Sequence, residues 1–129
     1  MATIFTKIIN QEIPSYKIAE NDDFYAFLDI NPLEEGHCLV VPKKEIDYIF
    51  DMEDNLLAAF NLFAKKVALA IEKSIVCKRV GIAVIGLEVP HAHIHLIPLH
   101  TDAINFSKPK LVFSKIELKT IADKISANF

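Results

Sequence analysis

The sequence predicts an α+β domain with a mainly antiparallel five-stranded sheet, one long helix and a C-terminal helix. Segments with strand character come in a run of three and a run of two, and they do not alternate strictly with helices, which is typical of antiparallel sheets. A long stretch between the two runs has helical periodicity, and a capping motif marks the last helix. At 129 residues the chain fits one domain, which we expect to span residues 1–129.

One short helix and three strands are predicted in the first third of the chain. Apolar residues at helical spacing predict a short amphipathic helix within the first twelve residues, ended before Pro14. Turn residues at 21–23 and 31–36 separate segments of strand character. The predicted strands cover residues 15–21, 24–30 and 37–42.

The long helix is predicted over about residues 53–74, because apolar residues recur there at spacings of three and four. Two strands follow, at 78–86 and about 92–99, and then a polar loop. Ser114 and Glu117 form an S-x-x-E capping box that begins a helix reaching about residue 127. The apolar stripe of the long helix comprises Leu56, Phe60, Phe63, Val67 and Ala70 or Ile71, and the further apolar residues Leu57, Ala58, Leu62 and Ala64 lie off that stripe.

Charge and composition exclude several classes of partner. The net charge of −3 and a pI of about 5.9 argue against chain-wide attraction to nucleic acid or to an anionic membrane, so we expect neither as a partner. No apolar run reaches the roughly 18 residues that span a bilayer, and the N-terminus lacks a signal-peptide pattern. Cys38 and Cys77 are isolated, which favours buried thiols and a cytoplasmic location.

The segment VPHAHIHLIPLH contains four of the five histidines. His91, His93 and His95 occupy alternate positions, and alternate residues of a strand point to the same face about 6.5–7 Å apart. We therefore expect the three imidazoles to share one surface, with Ala92, Ile94 and Leu96 facing the core.

Three interpretations of this histidine segment compete on chemical grounds. The imidazoles could be separately satisfied residues of a half-exposed sheet face. They could bind zinc, although a third or fourth ligand would then come from His37, His100, Asp29 or Glu88, none of which has a recognisable ligand spacing. They could act in phosphoryl chemistry, since imidazole is nucleophilic near neutral pH and can stabilise phosphate charge.

HAHIHLI resembles the signature of the histidine triad (HIT) family, in which three histidines alternate with apolar residues. IFTKIINQEIP, AFLDINPLEEGHCLVVPKK and GLEVPHAHIHLIP resemble successive blocks of that family and together span about residues 4–98. The chain looks most similar to the Hint branch of small homodimeric enzymes that cleave nucleoside phosphoramidates. The resemblance therefore implies a HIT-like fold, a purine nucleotide or nucleotide conjugate as ligand, and a homodimer.

The resemblance also implies a role for each histidine that matches the family motif. His93 matches the nucleophile that attacks the α-phosphorus and becomes transiently nucleotidylated. His95 and His37 match residues that contact the phosphate and assist proton transfer, and His91 matches a supporting residue. Asp29 matches the acid that binds the ribose hydroxyls. The apolar walls of the base pocket would be Ile4, Phe5, Ile8, Phe27 and Ile30.

Two departures from the family pattern lie just before the triad. Leu87 stands where relatives carry a glutamine that contacts the phosphate or the leaving group, and Glu88 stands where a hydroxyl residue is common. The segment AVIG also shortens a loop and lacks its asparagine. A carboxylate beside a bound phosphate repels it, so we expect slower turnover or a changed leaving group.

A further departure concerns the structural zinc of several bacterial relatives. Their ligands are two cysteines, a histidine and the first triad histidine, and the matching positions here are Thr3, Thr6, Glu45 and His91. Three of the four ligands are replaced, so we expect no structural zinc and no other cofactor.

The sequence thus supports one main hypothesis and two alternatives. The main hypothesis is a HIT nucleotide hydrolase or transferase, phosphoramidase-like, that works through a nucleotidyl-histidine intermediate. The first alternative is a nucleotide-binding or interaction protein with little turnover, which the replacements at Leu87 and Glu88 favour. The second is a zinc hydrolase that uses the histidine cluster.

Overall fold

The structure, a computed structural model, describes residues 2–129 and contains a five-stranded sheet and three α-helices in that range. A single 3₁₀ turn, Ile49–Asp51, precedes the long helix and was not predicted. In chain order the elements are α1 (Ile4–Ile9), β1 (Lys17–Glu20), β2 (Phe24–Leu28), β3 (Cys38–Pro42), α2 (Asp54–Ser74), β4 (Arg79–Ala83), β5 (Ile94–Leu99) and α3 (Lys115–Ala127).

All neighbouring strands are antiparallel, in the order β1-β2-β3-β5-β4. This confirms the predicted α+β class and its antiparallel sheet. The register pairs His95 of β5 with Leu39 of β3 and with Ala83 of β4. His95 therefore lies in the middle of the sheet, whereas β4 forms an edge with one unpaired side.

Helices α2 and α3 cover one face of the sheet. Their apolar stripes pack on β1, β2, β3 and β5 in one buried cluster, which includes Ile94 and Leu96. Ser114 caps α3 with the predicted capping box, since its hydroxyl accepts from the Glu117 amide and the Glu117 carboxylate accepts from the Ser114 amide. Two of the apolar residues off the α2 stripe also join this core, because Ala64 is buried and Leu57 is partly buried against it, while Leu62 is exposed.

The opposite face of the sheet is covered in part by α1. Phe5 and Ile8 of this helix pack on a second buried cluster, whose sheet members are Tyr25, Phe27, Leu39 and Val41. Thr3 caps α1, because its side-chain oxygen accepts from the Thr6 amide. The histidines lie on this face, beside Phe5.

The start of β5 differs from the prediction. The strand begins at Ile94, so His91 and His93 precede it and the alternation of a strand does not place them. The reason is that the backbone there bonds to loops: the His91 amide donates to the Val89 carbonyl and the Ala92 amide donates to the Ile46 carbonyl. Ala92 is nevertheless buried, as predicted.

The other strands are shorter than predicted, because their ends turn into loops that form part of the site. Strand β2 ends at Leu28, which leaves Asp29 and Ile30 in the following turn, and His37 lies immediately before β3. Strand β4 ends at Ala83, so residues 84–90 form an irregular segment. None of the helices within residues 2–129 has the length and apolar composition that would let it cross a membrane.

Candidate functional site

The hydrogen bonds of His93 fix which of its ring nitrogens carries the proton. Its Nδ1 lies 2.9 Å from the His91 carbonyl oxygen. A carbonyl only accepts, so Nδ1 carries a hydrogen, and in the neutral ring Nε2 keeps its lone pair. Nε2 has no hydrogen-bond partner in residues 2–129, and no buried side-chain nitrogen or oxygen there lacks a partner, so this atom is accessible from outside. His93 thus presents an unprotonated nitrogen at the surface of an otherwise buried ring.

The proton positions of His37 and His95 follow from a chain of three groups. The Leu33 amide donates to Nδ1 of His37 at 3.1 Å, so neutral His37 carries its proton on Nε2. This Nε2 lies 3.0 Å from Nδ1 of His95 and donates to it. Neutral His95 must then carry its own proton on Nε2. The backbone amide of Leu33 thereby determines the tautomer of His95, which lies 58 residues after His37.

Burial keeps both of these histidines neutral at physiological pH. The pKa of His37 and of His95 is lowered from 6.5 to about 4, mainly by removal from water, and the neighbouring imidazoles contribute to the lowering for His95. Asp29 Oδ2 lies 3.6 Å from His37 Nε2, but at neutral pH this contact is not an ion pair because His37 is uncharged. The other Asp29 oxygen accepts from the Asn31 amide at 2.8 Å.

His91 is completely buried and supports the site from behind. Its Nε2 donates to the Pro42 carbonyl at 2.7 Å, so Nδ1 accepts from the Thr3 hydroxyl at 2.7 Å. The Glu45 carboxylate in turn accepts from the Thr3 amide at 2.8 Å and from the Thr6 hydroxyl at 2.5 Å. Hydrogen bonds among Thr3, Thr6, Glu45 and His91 therefore join α1 to the triad. These are the four positions that match the zinc ligands of bacterial relatives.

A cavity of about 340 Å³ opens beside His93 and His95. Its walls are mostly apolar and come from α1 and from the turn after β2. The site residues predicted for the nucleoside all line it, namely Ile4, Phe5, Ile8, Phe27, Asp29 and Ile30. Ile4 and Ile30 are about half exposed, at 48% and 57%, whereas Phe5, Ile8 and Phe27 are buried.

A second, more polar cavity of about 310 Å³ shares five lining residues with the first, namely Asp29, Asn31, Glu88, His93 and His95. His37 lines only this second cavity, together with residues of the irregular segment after β4 and of the loop after β5. These further residues are Ile85, Gly86, Leu87, Phe106 and Lys110. The two cavities therefore meet at His93 and His95, with the apolar one on the α1 side.

Asp29, His37 and His95 form a possible metal-binding group, since one donor atom from each lies within 4.8 Å of the others. The His37 tautomer opposes this use. Its Nδ1 accepts from the Leu33 amide, so a metal at Nε2 would require a doubly deprotonated imidazole or the loss of that hydrogen bond. The donor set therefore fits a proton relay better than a metal ion.

Sequence reasoning did not find Phe106 and Lys110. The Phe106 ring stands edge-on to His95 with centroids 5.3 Å apart, and Lys110 lines the polar cavity. Both lie in a polar loop with no motif, and only the fold brings that loop over the histidines. The predicted roles of His93, His95, His37, His91 and Asp29 concern residues that the structure does bring together.

A family model described as the HIT domain matches residues 10–102 of the chain. The chain belongs to the HIT family. An uncharacterised HIT-like protein of Borreliella burgdorferi is 37% identical over 97% of this chain and 96% of its own length. The adenosine 5′-monophosphoramidase of Schizosaccharomyces pombe is 34% identical over 98% of both chains. A crystal structure of a HIT-like protein from Bartonella henselae superposes with a TM-score of 0.86, at 31% identity, and covers 98% of this chain and 96% of that chain.

Parts of two features of the site lie outside the residues that the HIT model matches. The matched residues begin after Thr3 and Thr6 and end before Phe106 and Lys110. Thr3 and Thr6 of the network behind His91, and Phe106 and Lys110 of the loop over His95, therefore lie outside the matched residues, whereas Glu45 and His91 lie inside them.

Proposed function

We propose that this HIT protein hydrolyses the phosphorus–nitrogen bond of purine nucleoside phosphoramidates and related conjugates, through a nucleotidyl intermediate on His93. The observation that carries this proposal is the tautomer of His93, whose Nδ1–H is held by the His91 carbonyl so that Nε2 is unprotonated and accessible. The phosphoramidase name of the Schizosaccharomyces pombe relative supports the same reaction class.

In the first step Nε2 of His93 attacks the α-phosphorus, and the bond from phosphorus to the leaving amine breaks. The amine takes the proton that His95 carries on Nε2, and His95 regains a proton from solvent. In the second step water attacks the nucleotidyl-histidine and the bond from phosphorus to Nε2 of His93 breaks. His95 passes the proton of that water to solvent, and the hydroxyl of the water completes the released nucleoside monophosphate. This covalent route divides the displacement at phosphorus into two easier steps, each of which uses a histidine already positioned in the site.

His37 acts through His95 in this scheme. Its Nε2–H donates to His95 Nδ1 at 3.0 Å and so keeps the His95 proton on the nitrogen that serves the leaving group. Because both pKa values are about 4, both rings are neutral at physiological pH, and the proton that His95 passes is the one on Nε2 of its neutral ring. His91 holds the triad segment through its bonds to Pro42 and Thr3.

The apolar cavity would hold the nucleoside. Its walls around Phe5 and Phe27 suit the face of a purine, and the partly exposed Asp29 offers a carboxylate to the ribose hydroxyls. Asp29 Oδ1 already accepts from Asn31, which leaves Oδ2 to accept from the sugar. This arrangement would place the α-phosphate at His93, where the two cavities meet.

Release of AMP from adenosine 5′-phosphoramidate tests the proposal directly. The wild-type chain is expected to turn the substrate over, and His93→Ala to lose at least about a thousandfold in kcat/KM, because no other group replaces the covalent step. His100→Ala is the matched control, since His100 is exposed and outside both cavities. Equal rates for the wild type and His93→Ala would overturn the proposal.

A second candidate function is nucleotide binding with little turnover. The observation that favours it is the side chain of Leu87, which is 88% exposed in the wall of the polar cavity and offers no hydrogen bond to a leaving group. Tight AMP binding without nucleotidylated His93 would support this candidate against the hydrolase.

A cytoplasmic homodimer completes the proposal. The unpaired edge strand β4 and the segment after it carry exposed apolar side chains, Ile82 at 56%, Val84 at 36% and Ile85 at 51%. Such an edge suits pairing with a second copy of the chain. Light scattering should report a dimer that Ile82→Lys dissociates and that Leu62→Lys, on the far helix, does not. A monomeric wild type would contradict the dimer.

A further inference from the structure

The two cavities at the histidines carry little positive charge for a site that would bind phosphate. Asp29 and Glu88 line both cavities with carboxylates, while His37 and His95 are neutral at physiological pH. Among residues 2–129, Lys110 is the single lysine or arginine that lines either cavity. Phosphate held between two carboxylates and neutral rings needs a compensating cation.

The loop after β5 is fixed on both sides of Lys110. The Lys108 ammonium pairs with the Glu34 carboxylate, and the Leu111 amide donates to the Pro32 carbonyl at 2.8 Å. Both partners belong to the turn between Asp29 and His37, so the loop is tied to the turn that positions those two residues. Pro109 restricts the backbone between the two anchors.

The side chain of Lys110 is positioned at the polar end of the site. Its Nζ donates to the Phe106 carbonyl at 3.3 Å, and the ring of Phe106 contacts His95. The residue is exposed, so the ammonium can exchange this single neutral acceptor for a charged one without desolvation of a buried group. The charge of Lys110 is also one cause of the lowered pKa of His37 and of His95, after burial.

We propose that Lys110 binds the non-bridging oxygens of the α-phosphate. The charge of Lys110 thereby supplies part of the phosphate binding that a glutamine provides in relatives. Leu87 stands at the position of that glutamine and cannot provide it. This proposal rests on the proposed function, because it concerns the phosphate of the same substrate. It assigns a catalytic contact to a residue beyond the matched HIT domain. Lysine acts here as a point charge on a flexible stem, which suits an anion that changes geometry during the reaction.

The experiment compares Lys110→Gln, Lys110→Arg and Lys66→Gln. Lys66 is an exposed lysine on α2, on the opposite face of the sheet, so its substitution removes the same net charge away from the site. Binding of AMP and of adenosine is measured by calorimetry at low and moderate salt, and turnover is measured with adenosine 5′-phosphoramidate. Adenosine has no phosphate and reports the nucleoside pocket alone.

Lys110→Gln is expected to weaken AMP binding and lower kcat/KM by about tenfold, with adenosine binding unchanged, since a charge-assisted hydrogen bond is removed. Lys110→Arg should restore most of both values, and the effect should shrink as salt rises. Equal AMP binding by Lys110→Gln and Lys66→Gln, in a protein that still turns over, would overturn the role of Lys110 and leave the proposed function intact. A wild type that neither binds AMP nor turns over would overturn both.

Discussion

Nε2 of His37 donates to Nδ1 of His95 across 3.0 Å, and this contact couples the backbone of a turn to the chemistry of the site. The Leu33 amide determines the His37 tautomer, His37 determines the His95 tautomer, and His95 is left with a proton on the accessible nitrogen. On the other side, the His91 carbonyl leaves His93 with an accessible lone pair. Backbone groups therefore place a ring N–H of His95 and a ring lone pair of His93 side by side.

The lowered pKa values of these histidines predict how stability depends on pH. An unfolded histidine takes up a proton near pH 6.5, whereas His37 and His95 in the folded chain do so near pH 4. Between these two pH values the unfolded state therefore binds more protons than the folded state. The free energy of unfolding is expected to fall as the pH drops from about 6.5 to about 4. Urea unfolding at pH 7.5, 6 and 5 measures this slope. His95→Gln should flatten it, and an equal slope in that variant would contradict the assignment.

The bond from Thr3 to His91 predicts a paired effect on stability. Thr3→Val keeps the shape of the side chain but leaves the buried Nδ1 of His91 without its donor and the Thr6 amide without its cap. We expect a loss of about 1–3 kcal/mol in the free energy of unfolding. Thr3→Ser retains the hydroxyl and should stay within about 1 kcal/mol of the wild type. Indistinguishable denaturant midpoints for the valine and serine variants would refute a supporting role for this network.

Gly36 leads into His37 with a positive φ of 93°, and a Cβ at this position would lie 2.9 Å from Cγ1 of Ile75. Gly36→Ala therefore combines backbone strain with a clash, and we expect it to destabilise the fold by about 1–3 kcal/mol. Gly86 also has a positive φ, of 76°, but a Cβ there would meet nothing within 4 Å. Gly86→Ala should thus lower the melting temperature less than Gly36→Ala does. A larger loss for Gly86→Ala would show that the protein relieves the clash at position 36.

Glu88 lines both cavities, and its carboxylate should repel a bound phosphate. Glu88→Gln removes this charge, so AMP binding is expected to tighten by about two- to fivefold at low salt, as for an exposed charge pair. The gain should fade at high salt because exposed charges are screened. Glu72→Gln on α2 is the control. If Glu88→Gln binds AMP no better than this control, the carboxylate turns away from the phosphate.

The sequence predicted the elements whose signals are local. The apolar stripe of α2, the Ser114 capping box and the order of helices and strands along the chain depend on neighbouring residues, and the structure confirms them. The grouping of His93 with His95 was predicted from strand alternation, and Asp29 was added to it from the family blocks. Strand alternation gave the wrong reason for it, since Pro90 and the bonds of His91 and Ala92 to loops delay the start of β5.

The features that the sequence could not predict depend on contacts between distant segments. The tautomer of His37 depends on the Leu33 amide, and the position of Lys110 depends on loop anchors at Pro32 and Glu34. Neither contact has a spacing or motif that marks it. The hydrogen-bond network of Thr3, Thr6, Glu45 and His91 was likewise not predicted. In the sequence, these positions were recognised only as a zinc site with three of its four ligands replaced.

Intact-protein mass spectrometry, after a rapid acid-free quench of the chain with adenosine 5′-phosphoramidate, tests the central claim most directly. A nucleophilic His93 predicts a mass increase of one adenylyl group during turnover, which peptide mapping places on His93 and which His93→Ala abolishes. Turnover with no adduct, or an adduct on another residue, would contradict covalent catalysis by His93.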